Sequence, residues 1–268
     1  MKLVSRTAQV FLLLVYLVAL GAPWIAPAGY ADQFRDHAGE PPSARFPLGV
    51  DELGRDRLSR LIYGSRVSLV LAPAAALLAV SLAAGIGIAA GVATPLLART
   101  LTLGIDLLLS LPALFLLLIA RAMLPLNSGP WSSVLVTFIL LGALGWPAAA
   151  RVICSMSRTL LRSTFMMQAR AAGCTTARMM SSQFMPNLRP VIKGQFFLLV
   201  PVFILAEANL GILGLGVSEP LPSWGSMLAE LTNLSAISQA PWRLAPAVLL
   251  LLVVLSFYAA THHKEAIS

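Results

Sequence analysis

Three ionisable side chains fall inside otherwise apolar stretches of the sequence: Asp106, Arg121 and Glu207. A charge at mid-membrane costs at least ~2.5 kcal/mol on insertion scales, so each must face a partner or a water-filled path. Arg121 stands near the outer end of its stretch, where a long side chain snorkels to the headgroups or forms a structural pair. Asp106 lies one turn from the opposite end of the same stretch, at an interface. Glu207 is the candidate for a translocation pathway or gate. The other reactive residue types assemble no catalytic set. Cys154 and Cys174 lie in one basic segment and read as reduced thiols, since structural zinc takes four ligands. His37, His262 and His263 fall in a loop and at the tail, so no metal cluster is visible within the membrane. There is no Gly-x-Ser-x-Gly and no pair of intramembrane aspartates, which argues against a membrane enzyme. The glycines of Leu213-Gly214-Leu215-Gly216-Val217 are not a phosphate loop, because no G-x-x-x-x-G-K-[ST] and no strand accompany them. They read as a re-entrant or interfacial turn, with Trp224 and Trp242 as amphipathic anchors.

The elements that must hold these residues follow from composition. The chain has 268 residues, 58% hydrophobic and 11% charged, with mean hydropathy +0.83. A soluble domain carries about 25% charged residues, so this is an all-α integral membrane protein. The net charge of +8 is concentrated instead of forming a basic stripe with interleaved aromatics, which excludes nucleic acid as a partner. Between Arg151 and Lys193 there are seven Lys/Arg and no Asp or Glu. On the positive-inside rule this segment stays in the cytoplasm and orients the spans on either side.

Six apolar segments approach the ~20 residues that cross a bilayer: Val10 to Ile25, Val67 to Ala93, Leu101 to Leu124, Trp131 to Ala150, Val191 to Leu213 and Leu244 to Ala260. Ala26-Pro27-Ala28 has the form of a cleavage site and leaves a signal peptide as the alternative for the first. Residues 26 to 66 are locally neutral, with six basic and six acidic residues, as suits the non-cytoplasmic side. Within them, Leu53, Leu58, Leu61 and Ile62 recur among charges and predict a short amphipathic helix over Asp51 to Tyr63 at the membrane surface. With both termini cytoplasmic, the inner segments hold eleven of the nineteen Lys/Arg and one acid, Glu265. The expected organisation is therefore residues 1–66 as a membrane helix plus outer loop, 67–262 as a five-helix membrane domain, and 263–268 as a tail. Gly87 and Gly91 form a small-xxx-small pair that permits close helix contact.

Inside the basic segment, Gln168-Ala169-Arg170-Ala171-Ala172-Gly173 predicts a helix ended by glycine. Thr175 and Thr176 can cap a second helix, with Met179, Met180, Phe184 and Met185 at helical spacing and Pro186 as its stop. Two short helices meeting at a glycine make a knob standing off the membrane. Its methionines are pliable contacts suited to a partner's groove, or else pack on the ends of the spans.

The spacing Ala169-x-x-x-Gly173 followed by Pro186-Asn187 resembles the EAA signature of bacterial ABC importer permeases, whose loop docks into the ATPase subunit. Further stretches are similar to the second permease subunit of the dipeptide/oligopeptide/nickel branch: Pro47 to Asp56 with Leu58 to Gly64, Leu205-Ala206-Glu207-Ala208 running to Gly216, and Pro222-Ser223-Trp224-Gly225 followed by Ala240-Pro241-Trp242. These matches recur in family order from about residue 46 to 260. The chain departs from the pattern at Met167, where the family has its glutamate, at Gln168, where alanine is usual, and at Gln183, where histidine is frequent.

The resemblance implies a type I ABC importer permease fold of six transmembrane helices, multi-pass in the bacterial cytoplasmic membrane. It implies a coupling loop over 151–190 in which Met167, Gln168, Ala169, Arg170, Gly173, Gln183, Pro186 and Asn187 meet the ATPase. Glu207, Gly214 and Gly216 would lie near the outer gate. The chain would be a non-catalytic subunit moving short peptides, or alternatively nickel or another small solute. It would bind no cofactor, with ATP and Mg on the partners: a homologous permease, two ATPases and an extracytoplasmic solute-binding protein. A stand-alone secondary transporter or channel is the reading from another class, and it lacks the expected ionisable residues on several spans or paired broken helices.

Overall fold

A computed structural model of the chain describes residues 2–123, 129–232 and 240–265. Among these every regular element is helical, apart from one isolated antiparallel bridge between Val50 and Asp56. The order is α1 (Lys2–Leu20), α2 (Arg57–Val92), α3 (Pro95–Ser110), α4 (Ala113–Ala122), α5 (Pro130–Leu144), α6 (Pro147–Leu161), α7 (Thr164–Ala171), α8 (Thr176–Met179), α9 (Met185–Ile212), α10 (Trp224–Ala229) and α11 (Ala245–Glu265). Helices suit a lipid-exposed chain because each satisfies its backbone groups within its own segment, without water. Four helical stretches among the described residues are long and apolar enough to cross a membrane: Arg57–Val92, Pro130–Leu161, Thr176–Ile212 and Pro241–Thr261.

The other two expected spans take different forms. The third is a broken pair, α3 and α4, bent by 81°. Pro112 lies at the break, and Leu111 before it is held extended at φ −92° and ψ 134°, as a residue preceding proline tends to be. The expected end of that span at Leu124 lies outside the described residues. The helix at the first expected span begins earlier than expected, at Lys2, and its apolar part Val4–Leu20 is shorter than those four stretches. It breaks at Gly21 before a further turn at Ala22–Ile25. The tail beyond Glu265 lies outside the described residues.

The amphipathic helix expected over Asp51 to Tyr63 is not a separate element. Asp51 to Asp56 is a turn: Asp51 Oδ1 accepts from the amides of Leu53 and Arg55 at 2.9 and 2.8 Å. Asp56 then caps α2, accepting from the Ser59 amide at 2.9 Å, and the helix runs unbroken from Arg57 into the apolar segment. Leu58, Leu61 and Ile62 therefore belong to the first turns of a long apolar helix, and Leu53 lies in the turn before it.

The chain divides into two units. The first comprises Met1–Pro73, Leu118–Phe138 and Val200–Ser268. In it α1 packs along α11, with Ala8, Ala19, Val253 and Phe257 buried. The outer loop is pinned by aromatic contacts, Tyr30 on Tyr63 at 5.1 Å and Phe34 on Phe46 at 5.3 Å between ring centroids. The second comprises Ala74–Leu117 and Ile139–Leu199. In it α3 packs on α6, and the expected close contact at Gly87 and Gly91 is made against α6 as well. A Cβ at Gly87 would stand 2.7 Å from the Ala150 carbonyl, and one at Gly91 2.5 Å from Ser157 Cβ.

Candidate functional site

In the first unit Glu207 is fully buried near the C-terminal end of α9. Its Oε2 accepts a hydrogen bond from Ser68 Oγ of α2 at 3.1 Å. Ser68 Oγ also accepts from the Trp224 amide at 3.2 Å, and Trp224 Nε1 donates to Ser65 Oγ at 3.0 Å. Ser223 and the Gly225 backbone approach the same carboxylate. Trp224 is itself completely buried, so it is no interfacial anchor. A burial this complete satisfies both the indole N–H and the ring, which an interface position would leave half in water. Trp242 is half-buried, in a single turn at Pro241–Leu244.

Three glycines let the backbones close around Glu207. A Cβ on Gly211 would lie 2.2 Å from the Gly225 carbonyl carbon, and one on Gly225 would lie 2.7 Å from both the Glu207 carbonyl and Oε1. A Cβ on Gly216 would lie 2.7 Å from Gly211 Cα. Gly214 serves differently: it has φ +74° in open space and ends α9. Its amide donates to the Gly211 carbonyl at 3.0 Å and the Leu215 amide to the Leu210 carbonyl at 2.8 Å, a Schellman cap. Ser223 and Ser226 then form a capping box that starts α10.

Arg121 does not snorkel. It is 1% exposed, its Nε donates to the Leu215 carbonyl at 3.1 Å and its Nη2 donates to Ser133 Oγ at 2.8 Å. The guanidinium thereby pairs one carbonyl of the loop after α9, while its buried Nη1 has no hydrogen-bond partner among the described residues. Arg121 is thus a clamp on the segment that holds Gly214 and Gly216.

A second polar cluster of this unit was not expected from the sequence. Glu219 joins two arginines, accepting from Arg55 Nη1 at 2.6 Å and Arg60 Nη2 at 2.9 Å. Asp51 accepts from Arg55 Nε at 2.7 Å, Arg57 pairs with Glu230 at 2.6 Å and Arg243 with Glu52 at 2.8 Å. Burial acts to lower the Arg55 pKa, but the Asp51 hydrogen bond and the charges of Glu219 and Asp51 outweigh it and raise it. These pairs border a cavity of about 540 Å³. The Glu219 pairs tie the turn before α2 and the first turn of α2 to the segment between α9 and α10, while Glu230 and Arg243 join from the segments that follow α10 and precede α11. The only sequence signal for them was the even balance of acids and bases in residues 26–66.

The second unit holds the basic segment. The short helix expected before Gly173 is α7, and it ends as the sequence predicts. Gly173 has φ +76°, its amide donates to the Arg170 carbonyl and the Cys174 amide to the Ala169 carbonyl, both at 3.1 Å. This is again a Schellman cap, and with nothing within 4 Å of a Cβ the glycine is required by conformation, not by space. Thr175 caps α8, its side chain accepting from the Arg178 amide at 3.4 Å.

Pro186 does not stop the following helix. Helical structure continues from Thr176 to Ile212 through a π-turn at Met180–Phe184, closed by the Met185 amide on the Met180 carbonyl. Proline lacks the amide that an α-helix would direct at residue 182, and a widened turn is where that loss is absorbed. Asn187 Nδ2 donates to the Gln183 carbonyl at 2.6 Å. Met179 and Phe184 are buried, as is Met166, so these apolar residues pack within the protein. The exposed surface of the knob is instead Met167 at 55%, with Gln168, Arg170 and Gly173, while Ala169 and Gln183 are half-buried. Cys154 is buried, Cys174 half-buried, and both are free thiols. Asp106 pairs with Arg151 of α6.

Comparison with known proteins identifies the family of the chain. Residues 83–263 match the family described as binding-protein-dependent transport system inner membrane component. The chain belongs to this family of transport permeases. The permease is 37% identical over 257 residues to a di/tripeptide transport system permease protein of Pseudomonas aeruginosa, covering 92% of this chain and 81% of that one. It is 32% identical to a dipeptide transport system permease protein of Alkalihalophilus pseudofirmus, over 90% of this chain and 77% of the relative. An oligopeptide transport system permease protein of Bacillus subtilis is 28% identical, over 90% and 76% of the two chains. The chain is accordingly a transport subunit with several membrane-crossing helices.

Proposed function

We propose that this permease imports short peptides across the bacterial cytoplasmic membrane, powered by separate ATPase subunits on which ATP and Mg are bound. The observation that carries the substrate class is the likeness, over nine-tenths of the chain, to permeases named for di- and tripeptides. Its partners in this reading are a homologous permease, two ATPases and an extracytoplasmic solute-binding protein. It crosses the membrane six times with both termini inside: α1, α2, the α3–α4 pair, α5–α6, α9 and α11. The charge distribution supports this, because the seven unbalanced cations of 151–193 then face the cytoplasm.

In this arrangement α7 and α8 are the coupling element. ATP-driven closure of two ATPases must be transmitted through something rigid, and α7 is locked by its glycine cap and by buried Met166 while Met167, Gln168 and Arg170 face outward. Ala169, Gly173, Gln183, Pro186 and Asn187 maintain that shape. Glu207, Gly214 and Gly216 belong to the outer gate, where the close contact of Gly211 on Gly225 is a packed joint suited to discrete rearrangement. Replacing Met167 by glutamate in the assembled transporter is expected to raise transport-coupled ATP hydrolysis. An unchanged or lower rate would remove Met167 from the ATPase interface.

A further inference from the structure

On the second unit, α6 presents Arg151, Ser155, Arg158, Thr159 and Arg162 along one exposed face, spaced at helical intervals. With Thr102 of α3 and the buried Cys154 they line a pocket of about 340 Å³. The lining holds three guanidiniums and no carboxylate, and of the three Arg151 pairs with Asp106 of α3. Arg158 is oriented by bonds from its Nη2 to the Ala90 carbonyl at 3.2 Å and Thr102 Oγ1 at 2.9 Å. The Arg162 guanidinium and the Ser155 hydroxyl have no hydrogen-bond or ion-pair partner among the described residues. The pocket therefore carries excess positive charge, one preorganised cation and unused donors.

The same two helices also carry exposed apolar side chains. Leu96, Leu103 and Leu107 of α3 and Val152 of α6 are exposed at 45 to 79%. A ligand that suits both surfaces has an anionic phosphate head and hydrocarbon chains. Basic pockets between transmembrane helices on the cytoplasmic side bind anionic headgroups, and guanidinium forks match phosphate oxygens. We infer that this pocket, formed by Arg151, Arg158 and Arg162 with Ser155, Thr159 and Thr102, binds the phosphodiester headgroup of an anionic phospholipid, its acyl chains lying along the exposed leucines of α3. Only the choice of leaflet, the inner one, depends on the orientation proposed above.

Native mass spectrometry of the full chain in neutral detergent, offered phosphatidylglycerol and phosphatidylcholine of identical acyl composition, tests this without any partner subunit. Phosphatidylglycerol is expected to be retained preferentially. Arg162→Gln removes a cation that makes no bond in the fold, so folding is not at risk, and it is expected to lower the retained lipid about fivefold. Arg158→Gln combined with it lowers retention about 25-fold if the two act independently. Arg189→Gln, an exposed cation of the same basic segment outside the pocket, leaves retention unchanged. Equal retention of the two lipids, or no effect of Arg162→Gln, overturns the inference. Displacement of the lipid by millimolar inorganic phosphate also overturns it, and assigns the pocket to a free anion.

Discussion

The glycines around Glu207 and the glycine after α7 are needed for different reasons, and substitution separates them. At Gly225 the obstacle is space, since a Cβ would stand 2.7 Å from the Glu207 carbonyl and Oε1. Gly225→Ala is expected to cost about 1–3 kcal/mol, the range for overpacking a filled interior. Gly104→Ala, at a helical site with nothing within 4 Å, should be neutral or stabilising by up to about 1 kcal/mol. Thermal unfolding of the purified chain in one detergent compares them, and equal effects would contradict the close contact. At Gly173 the obstacle is the positive φ, so Gly173→Ala costs about 1–2 kcal/mol locally despite the open space. Its expected readout is a fall in ATP-dependent uptake; undiminished uptake would count against the coupling role. Glu207 offers a third comparison. Glu207→Gln retains an oxygen for Ser68 and should unfold close to the parent, whereas Glu207→Ala leaves Ser68 without its acceptor and costs about 1–3 kcal/mol. Similar losses in both would mean that the charge itself holds the site.

At the scale of elements, the helix from Thr176 to Ile212 shows what local rules can and cannot decide. Gly173 was legible as a helix end and Thr175 as a cap, because each acts within one turn of the backbone. Pro186 was misread as a stop: a proline removes one donor, but whether the helix ends depends on what the flanking residues bury. Here Met179 and Phe184 are both buried, and a π-turn reconciles their positions with the proline. The burial is expected to hold the turn more than the proline does. Phe184→Ala should therefore cost about 3–5 kcal/mol in unfolding, and Pro186→Ala under about 1 kcal/mol. The reverse order would show that the proline imposes the turn. The same limit explains Arg121 and Trp224. Their positions in sequence suggested interfaces, but Leu215, Ser133, Ser65 and Ser68 supply buried partners from remote segments. Ser65 and Ser68, three apart on α2, were the available hint that one helix face is polar. Nothing local marks which acid of the outer loops will meet Arg55 and Arg60.

At the scale of the whole molecule, composition and charge sufficed for an all-helical membrane protein, and the family match agrees with the motifs read in order along the chain. The sequence periodicity counted apolar segments but not their breaks, which is why one expected span is an 81° bent pair. The central claim is that this chain is the membrane conduit of an ATP-driven peptide importer and does not transport alone. Uptake of a labelled tripeptide into proteoliposomes measures it directly, with the chain reconstituted either alone or with its sister permease, ATPases and binding protein. The account predicts uptake only in the complete assembly with ATP and Mg, and none when this chain is omitted. Peptide flux through the chain alone, without ATP, would contradict it.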